Sequence, residues 1–194
     1  MDHERRILLW GPDQTWRVRA LERKDVPVMA RWLSDPRVLA HYGGRDRPMD
    51  EDKVAAKYLA RQGEPIQACL VEKADGAPLG YVQIVRLSPQ EAAAYGHEAE
   101  GSCGDAPRVY ALNMFLGDPL TWGQGLGTAL APALLAHLAS LGADAVQVDP
   151  RVGSARAIRC YEKAGFRIVQ RLPHHELHEG MWCDNWLMAA WCSP

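Results

Sequence analysis

The segment from Arg108 to Leu141 constrains the fold of this chain more than any other. It opens with RVYALNMFL (Arg108 to Leu116), a nearly continuous apolar run that reads as a strand covered on both faces, with Asn113 its only polar interior residue. Gly117-Asp118-Pro119 ends the run, and Gly123-Gln124-Gly125-Leu126-Gly127-Thr128 forms a glycine-rich turn. Leu126, Leu130, Leu134 and Leu138 then recur at helical spacing, which predicts a helix to about Leu141, kinked or locally broken at Pro132. Without side chains in the way, successive backbone N–H groups of such a turn can close on phosphate oxygens at the positive end of the helix. The Gly-Lys-Ser/Thr ending of a P-loop and the GxGxxG spacing of a dinucleotide fold are both missing. Taken alone, the turn would equally serve close packing of helix on sheet.

Composition narrows the class. The 194 residues fit one compact domain, residues 1–194, and a balance of 22 Lys plus Arg against 24 Asp plus Glu argues against a protein that holds nucleic acid by neutralising phosphates. Five cysteines without a CxxC pair fit free thiols in a reducing compartment. No apolar stretch approaches the roughly 18 residues of a membrane span, so the expected location is cytoplasmic and no membrane partner is expected.

Around the central segment, the patterning predicts a mixed α/β chain. A strand is expected at Trp16 to Leu21, where Trp16, Val18 and Ala20 alternate with Arg17 and Arg19, one face buried. Asp25, with Pro27 just inside, offers an N-cap to a short helix that Asp35-Pro36 stops, and Asp50 caps another through Arg61. Ile66 to Lys73 and Leu79 to Leu87 read as an antiparallel hairpin turning at Asp75-Gly76. Ser88 to Pro107 reads as a long acidic loop suited to specificity. Ala145 to Val148, Phe166 to Leu172 and Trp182 to Ala190 read as strands, and Ser154 to Ala164 as a helix.

That last helix carries Ala157-Ile158-Arg159-Cys160-Tyr161-Glu162-Lys163-Ala164-Gly165-Phe166, with a glycine C-cap leading straight into a strand. Together with the glycine turn it resembles the GNAT superfamily of acyl-CoA-dependent N-acetyltransferases. The segments Trp32-Leu33-Ser34-Asp35, Tyr42-Gly43-Gly44-Arg45-Asp46, Gly117-Asp118-Pro119 with Trp122, Asp149-Pro150, Arg156-Ala157-Ile158-Arg159 and Leu172 to Gly180 look like the aminoglycoside 6'-N-acetyltransferases. Among these, the likeness extends to the acetyltransferase half of the bifunctional aminoglycoside-modifying enzyme, over about Val18 to Met188. The resemblance implies a mostly antiparallel twisted sheet splayed near Asn113 to Leu116, helices on both faces, and acetyl-CoA as co-substrate. It places Gly123, Gln124, Gly125, Leu126, Gly127 and Thr128 on the pyrophosphate, Phe115 or Leu116 at the oxyanion, Ser154 on the cofactor, and Tyr161 as the acid that protonates the departing thiolate. It implies a small-molecule amine as acceptor, an aminoglycoside, with glycine backbone rather than a basic patch receiving the CoA phosphates.

Asn113 departs from the pattern, since the aminoglycoside enzymes carry an Asp in that strand as general base or amine anchor. A primary amine of pKa about 9 is roughly 1% neutral at pH 7, so presenting the free base costs about 2.7 kcal/mol, against a general-base benefit of roughly 100- to 10,000-fold. Asn can orient an amine through its carbonyl oxygen but cannot take its proton. Three readings follow: proton loss to solvent, another carboxylate as base, or an acceptor other than an aminoglycoside, such as a siderophore precursor, polyamine or protein N-terminus. A catalytically weak CoA- or aminoglycoside-binding protein is the non-enzymatic alternative.

A polycationic acceptor needs negative charge near it. Asp149 is the candidate by family position, Glu98, Glu100 and Asp105 by loop chemistry, and Tyr42 as a ring that stacks on a sugar. His175-Glu176-Leu177-His178 is one residue short of HExxH, and the flanking Pro173 and Gly180 suggest a strand-edge loop, so no metal site is expected. Trp182, Trp186 and Trp191 divide between core packing and a dimer contact, leaving monomer and homodimer both open.

Overall fold

The computed structural model describes residues 7–60, 63, 65–96 and 106–192. Eight strands form one sheet in the order β1 (Ile7–Trp10), β2 (Trp16–Ala20), β3 (Ile66–Lys73), β4 (Pro78–Arg86), β5 (Val109–Leu116), β6 (Ala145–Val148), β8 (Met181–Trp191), β7 (Arg167–His178). Every pairing is antiparallel except β5 with β6. The first strand expected from sequence is thus the second, because Ile7–Trp10 is too short and too uniformly apolar to show an alternation.

Period-two alternation sends the strand side chains to two cores. Cys69 and Val71 of β3, Val82 and Ile84 of β4 and Leu112 of β5 face one side. There Leu130, Leu134 and Leu138 of α5 (Leu126–Ser140) cover them, with Tyr161 of α6 (Ala155–Lys163). Ala68, Leu70, Tyr81 and Phe115 face the other, under Met29 and Trp32 of α1 (Val26–Trp32). Helices therefore pack on both faces. α5 runs unbroken through Pro132, so the break expected there does not occur. Cys69, Cys160, Cys183 and Cys192 are free thiols.

Several local expectations are corrected. β2 is not one-faced: Arg19 is buried among Glu72 (2.9 Å) and Asp25 (2.7 Å). Asp25 spends its carboxylate on Arg19 and on the Glu22 amide (2.8 Å), and its side chain caps nothing in α1. Asp35-Pro36 ends one helix and starts the next, α2 (Pro36–Leu39), where Asp35 accepts from the Arg37 amide. Asp50 caps α3 (Glu51–Val54), which widens into a π-helical turn, Ala55–Leu59, while Arg61 lies outside the described residues. The expected loop at Ser88 begins as a helix, α4 (Pro89–Ala94), closed by a reciprocal Ser88–Glu91 capping box. The His174 to His178 segment is not a loop but the end of β7, joined to β8 through Glu179-Gly180. A register shift between Leu172 and Glu176 bulges His174 (φ +49°) and His175 out of the ladder.

Candidate active site at the splayed strands

β5 and β6 pair only over Val109–Ala111 and Ala145–Gln147, after which β5 continues to Leu116 without a β6 partner. This splay leaves half-buried the apolar run that the sequence suggested would be covered on both faces. Gly117 donates its N–H to Leu79 and Leu87 donates to Val109, and the β4–β5 register between them is unshifted. The odd-numbered residues of β5 therefore bond β4, and the backbone of Met114 and Leu116 turns into the splay. The Phe115 amide is committed to β4, which leaves Leu116 of the two expected oxyanion donors.

A cavity of about 1300 Å³ opens from the splay between α5 and α6. Gly123, Gly125, Leu126, Gly127 and Thr128 line it together with Phe115, Leu116, Ser154 and Tyr161, so the structure brings nine of the ten expected cofactor residues onto one surface. Gln124 is the exception: its amide turns back to the Leu120 carbonyl at 2.9 Å. Gly125 (φ +89°) is the N-cap position of α5, a backbone conformation that disfavours a side chain, and an added Cβ there would meet nothing within 4 Å. No side chain caps the helix, so the amides of its first turn face the cavity side unclaimed. An anion such as a pyrophosphate suits that donor set. Arg156, Arg159 and Lys163 line the same cavity, so basic side chains join the glycine backbone, contrary to the expectation of backbone alone. Trp122 anchors this wall, donating from Nε1 to the Leu116 carbonyl at 2.9 Å beneath the Arg156 guanidinium.

Tyr161 is buried, and burial raises its phenol pKa well above the ordinary range, with the Cys160 and Asp149 charges adding to the rise. Its phenol is therefore protonated near neutral pH. The Ser154 side chain, at the head of α6, makes no cap bond.

On the acceptor side, the Tyr42 ring packs on Phe115 at 4.6 Å, with Tyr81 beyond it and Tyr58 brought in by the π-helical turn. The Tyr58 hydroxyl interacts with that of Tyr42, and the buried Tyr81 hydroxyl has no hydrogen-bond partner among the described residues. Asn113 pairs with Gln83 on this face but does not line the cavity. Asp149 does not line it either, yet its charge raises the pKa of Tyr42 and Tyr161, which do. Asp149 follows β6 directly, on the far side of the gap from the unpaired end of β5. Glu98, Glu100 and Asp105 lie outside the described residues.

Four residues that the sequence reading did not assign to the site lie at or beside it. Arg151 donates to the Ala40 carbonyl at 2.9 Å, and Arg45 forms a paired contact with Glu179, the Nη2 bond being 2.6 Å; both tie the loop carrying Tyr42 to neighbouring elements. His175 Nε2 lies 3.1 Å from Asp149 Oδ2. Trp182, 61% exposed, lines the cavity and is no core residue, whereas Trp186 packs partly on the core. These contacts join distant parts of the chain, and no local spacing signals them. Among the described residues no three His, Cys, Asp or Glu groups gather to hold a metal ion, and no helix is long and apolar enough to cross a membrane.

An anion-binding helix end beside two splayed strands, with a buried tyrosine between them, defines a CoA-dependent acyl-transfer fold. The chain belongs to the GNAT acetyltransferases: residues 22–173 match the acetyltransferase (GNAT) domain, and the protein is an acetyl-CoA-dependent N-acetyltransferase. It is 29% identical over 152 residues to the aminoglycoside N(6')-acetyltransferase type 1 of Klebsiella pneumoniae, covering 77% of this chain and 72% of that protein. The fold matches aminoglycoside acetyltransferase AAC(6')-Ib in complex with coenzyme A, with a TM-score of 0.68, 23% identity, and 91% of this chain and 95% of that one covered. It also matches spermidine N-acetyltransferase from Vibrio cholerae in complex with CoA and spermine, with a TM-score of 0.72, 18% identity and the same coverage.

Proposed function

We propose that this enzyme transfers the acetyl group of acetyl-CoA to the 6'-amino group of aminoglycosides in the cytoplasm, as an antibiotic-resistance activity, and that residues 1–194 act as one catalytic domain. The observation that carries this reading is the wall of the splay, where the Tyr42 ring packs on Phe115 within reach of the Asp149 charge, a pairing suited to a cationic sugar. The Klebsiella relative's named activity points the same way.

Transfer is direct within a ternary complex. The uncapped amides of α5 and the basic groups of α6 hold the CoA phosphates, and the thioester enters the splay. There the Leu116 N–H stabilises the oxyanion, and the neutral amine attacks the carbonyl carbon. Tyr161 gives its proton to the thiolate as the C–S bond breaks. Tyr42 stacks on the acceptor ring, and Asp149, with Glu98 and Glu100, supplies negative charge. Asn113 orients the amine through its carbonyl oxygen.

A polyamine is the second reading, supported by Asn113 in place of the aminoglycoside enzymes' Asp and by the spermine-bound neighbour. Thiol release measured across aminoglycosides, polyamines and peptide N-termini separates the two, with NMR of the product locating the acetyl group. Turnover confined to polyamines overturns the aminoglycoside reading, acetylation elsewhere than the 6'-nitrogen overturns its regiochemistry, and CoA binding without turnover of any amine overturns both.

A further inference from the structure

We infer that the Asp149–His175 pair is the proton acceptor that the acceptor strand itself lacks. The inference rests on the acetyltransferase reading above and supplies its missing base. Asn113 cannot take a proton, yet the amine must lose one to react. On the other side of the splay from β5, directly after β6, stands Asp149, whose charge reaches Tyr42 and Tyr161 in the cavity wall. His175 Nε2 meets it at 3.1 Å.

The chain goes to some length to make this contact. His175 reaches Asp149 because β7 slips register between Leu172 and Glu176, lifting the ring out of the ladder. The Asp184 carboxylate fixes that bulge by accepting the His174 amide at 2.8 Å, and Asn185 fixes the Asp149 backbone by donating to its carbonyl at 2.6 Å. The pair is half-open to solvent, with side-chain exposures of 29% and 40%, so its proton can leave after each turnover.

The surrounding charges favour the protonated form of the His175 imidazole. The Asp149 hydrogen bond raises the pKa of His175 above the ordinary 6.5 against the effect of burial, and Glu176 on the same strand adds to the rise. Arg151 lies 3.8 Å from Glu176 and balances it. Tyr42, Tyr95 and Tyr161, from the loop after α2, the end of α4 and α6, are the other titratable groups that feel Asp149. All three are phenols near pH 7 and bring no charge of their own to the pair.

In the reaction, the docked ammonium gives a proton to the imidazole, directly or through one water, and Asp149 holds the imidazolium that results. The freed nitrogen lone pair forms the N–C bond, the C–S bond breaks, and Tyr161 protonates the sulfur. The second nitrogen proton passes to solvent water as the tetrahedral adduct collapses, the phenolate takes a proton from solvent, and the imidazolium releases its own to solvent after turnover.

The test is the pH dependence of kcat/KM for the best amine of the panel, in wild type, His175→Gln, Asp149→Asn and the double variant His175→Gln with Asn113→Asp. Wild type is expected to lose activity below an acidic limb lying above the ordinary histidine value. His175→Gln is expected to lose that limb and fall about 100-fold at pH 7, while recovering as the pH nears the amine's own pKa. Asp149→Asn is expected to lower the limb. In the double variant, the strand carboxylate is expected to return activity at pH 7 with a limb in the carboxylate range. Acetyl-CoA affinity and thermal unfolding, measured alongside, should stay at wild-type values. A His175→Gln enzyme with the wild-type profile overturns the inference, as does one depressed equally at every pH. Wild-type protein that turns over no amine overturns the acetyltransferase reading and the base with it.

Discussion

The role proposed for Tyr161 depends on its surroundings. A phenol is a poor acid in water near pH 7, and burial raises its pKa further, so it stays protonated through the resting state. A thiolate is a weaker base than that phenolate, so in the proposed reaction the proton moves to sulfur only in step with C–S cleavage, and solvent then restores the phenol. Tyr161→Phe keeps the ring that packs on Phe166 at 5.6 Å and removes only the proton. The expected outcome is a kcat lower by about 100-fold with KM for acetyl-CoA unchanged, checked by steady-state thiol release. A proportional rise in KM would instead assign the hydroxyl to binding. Tyr161 was legible in the sequence because its helix and glycine cap are contiguous. His175 was not, since its meaning depends on Asp149, which β8 folding back on β7 brings to it across 26 residues. The same holds for Phe115: sequence identified the strand but not its hydrogen-bond parity, so the amide facing the splay belongs to Leu116.

At the scale of elements, β2 is held by an ionic cluster that alternation alone misread as a solvent face. Arg19, Asp25 and Glu72 are each less than 5% exposed, and Arg17 adds a contact to Glu72 at 2.6 Å. Burial works against the Arg19 charge, but the two carboxylates outweigh it and raise the guanidinium pKa. Such a cluster stabilises little against a well-packed apolar equivalent, yet losing one member strands the others. Arg19→Leu is expected to cost about 3–5 kcal/mol in denaturant unfolding, while replacing all three with apolar residues of similar volume recovers most of that loss. The backbone of the glycine turn, by contrast, was readable, though not the Gln124 side chain, which turns back to the Leu120 carbonyl. The backbone's requirement is local, a positive φ at the head of a helix, and needs no partner elsewhere in the chain.

A second ionic contact acts between elements and depends on pH. Arg45 holds the Glu179 carboxylate at a pKa of about 2, first through their side-chain hydrogen bonds, against an ordinary 4.5. A depressed carboxylate pKa means that the stabilising contribution is complete above pH 4.5 and is lost as the pH falls toward 2. The gap in Tm between wild type and Glu179→Gln should therefore be constant from pH 7 to about 5 and close as acid is added. A gap that persists through the acid range would place the effect in packing. Because this contact ties the Tyr42 loop to the β7–β8 turn, its loss should raise KM for the amine more than KM for acetyl-CoA.

For the molecule as a whole, a net charge of -2 conceals a division of sign along the active cleft. Arg156, Arg159 and Lys163 line the cavity where the proposed function puts the CoA phosphates, and Asp149 stands beside the splay where it puts the cationic acceptor. Both attractions cross partly open solvent, so salt screens both: raising ionic strength from about 0.01 to 0.15 M shortens the Debye length from about 30 to about 8 Å. KM for acetyl-CoA and KM for a polycationic acceptor should therefore both rise over that range while kcat holds. A monoamine acceptor carries one charge to the acidic end instead of several, and its KM should rise least. If the polycation and the monoamine respond alike, the acidic rim does not select the acceptor by charge, and selection passes to the ring stack of Tyr42 on Phe115.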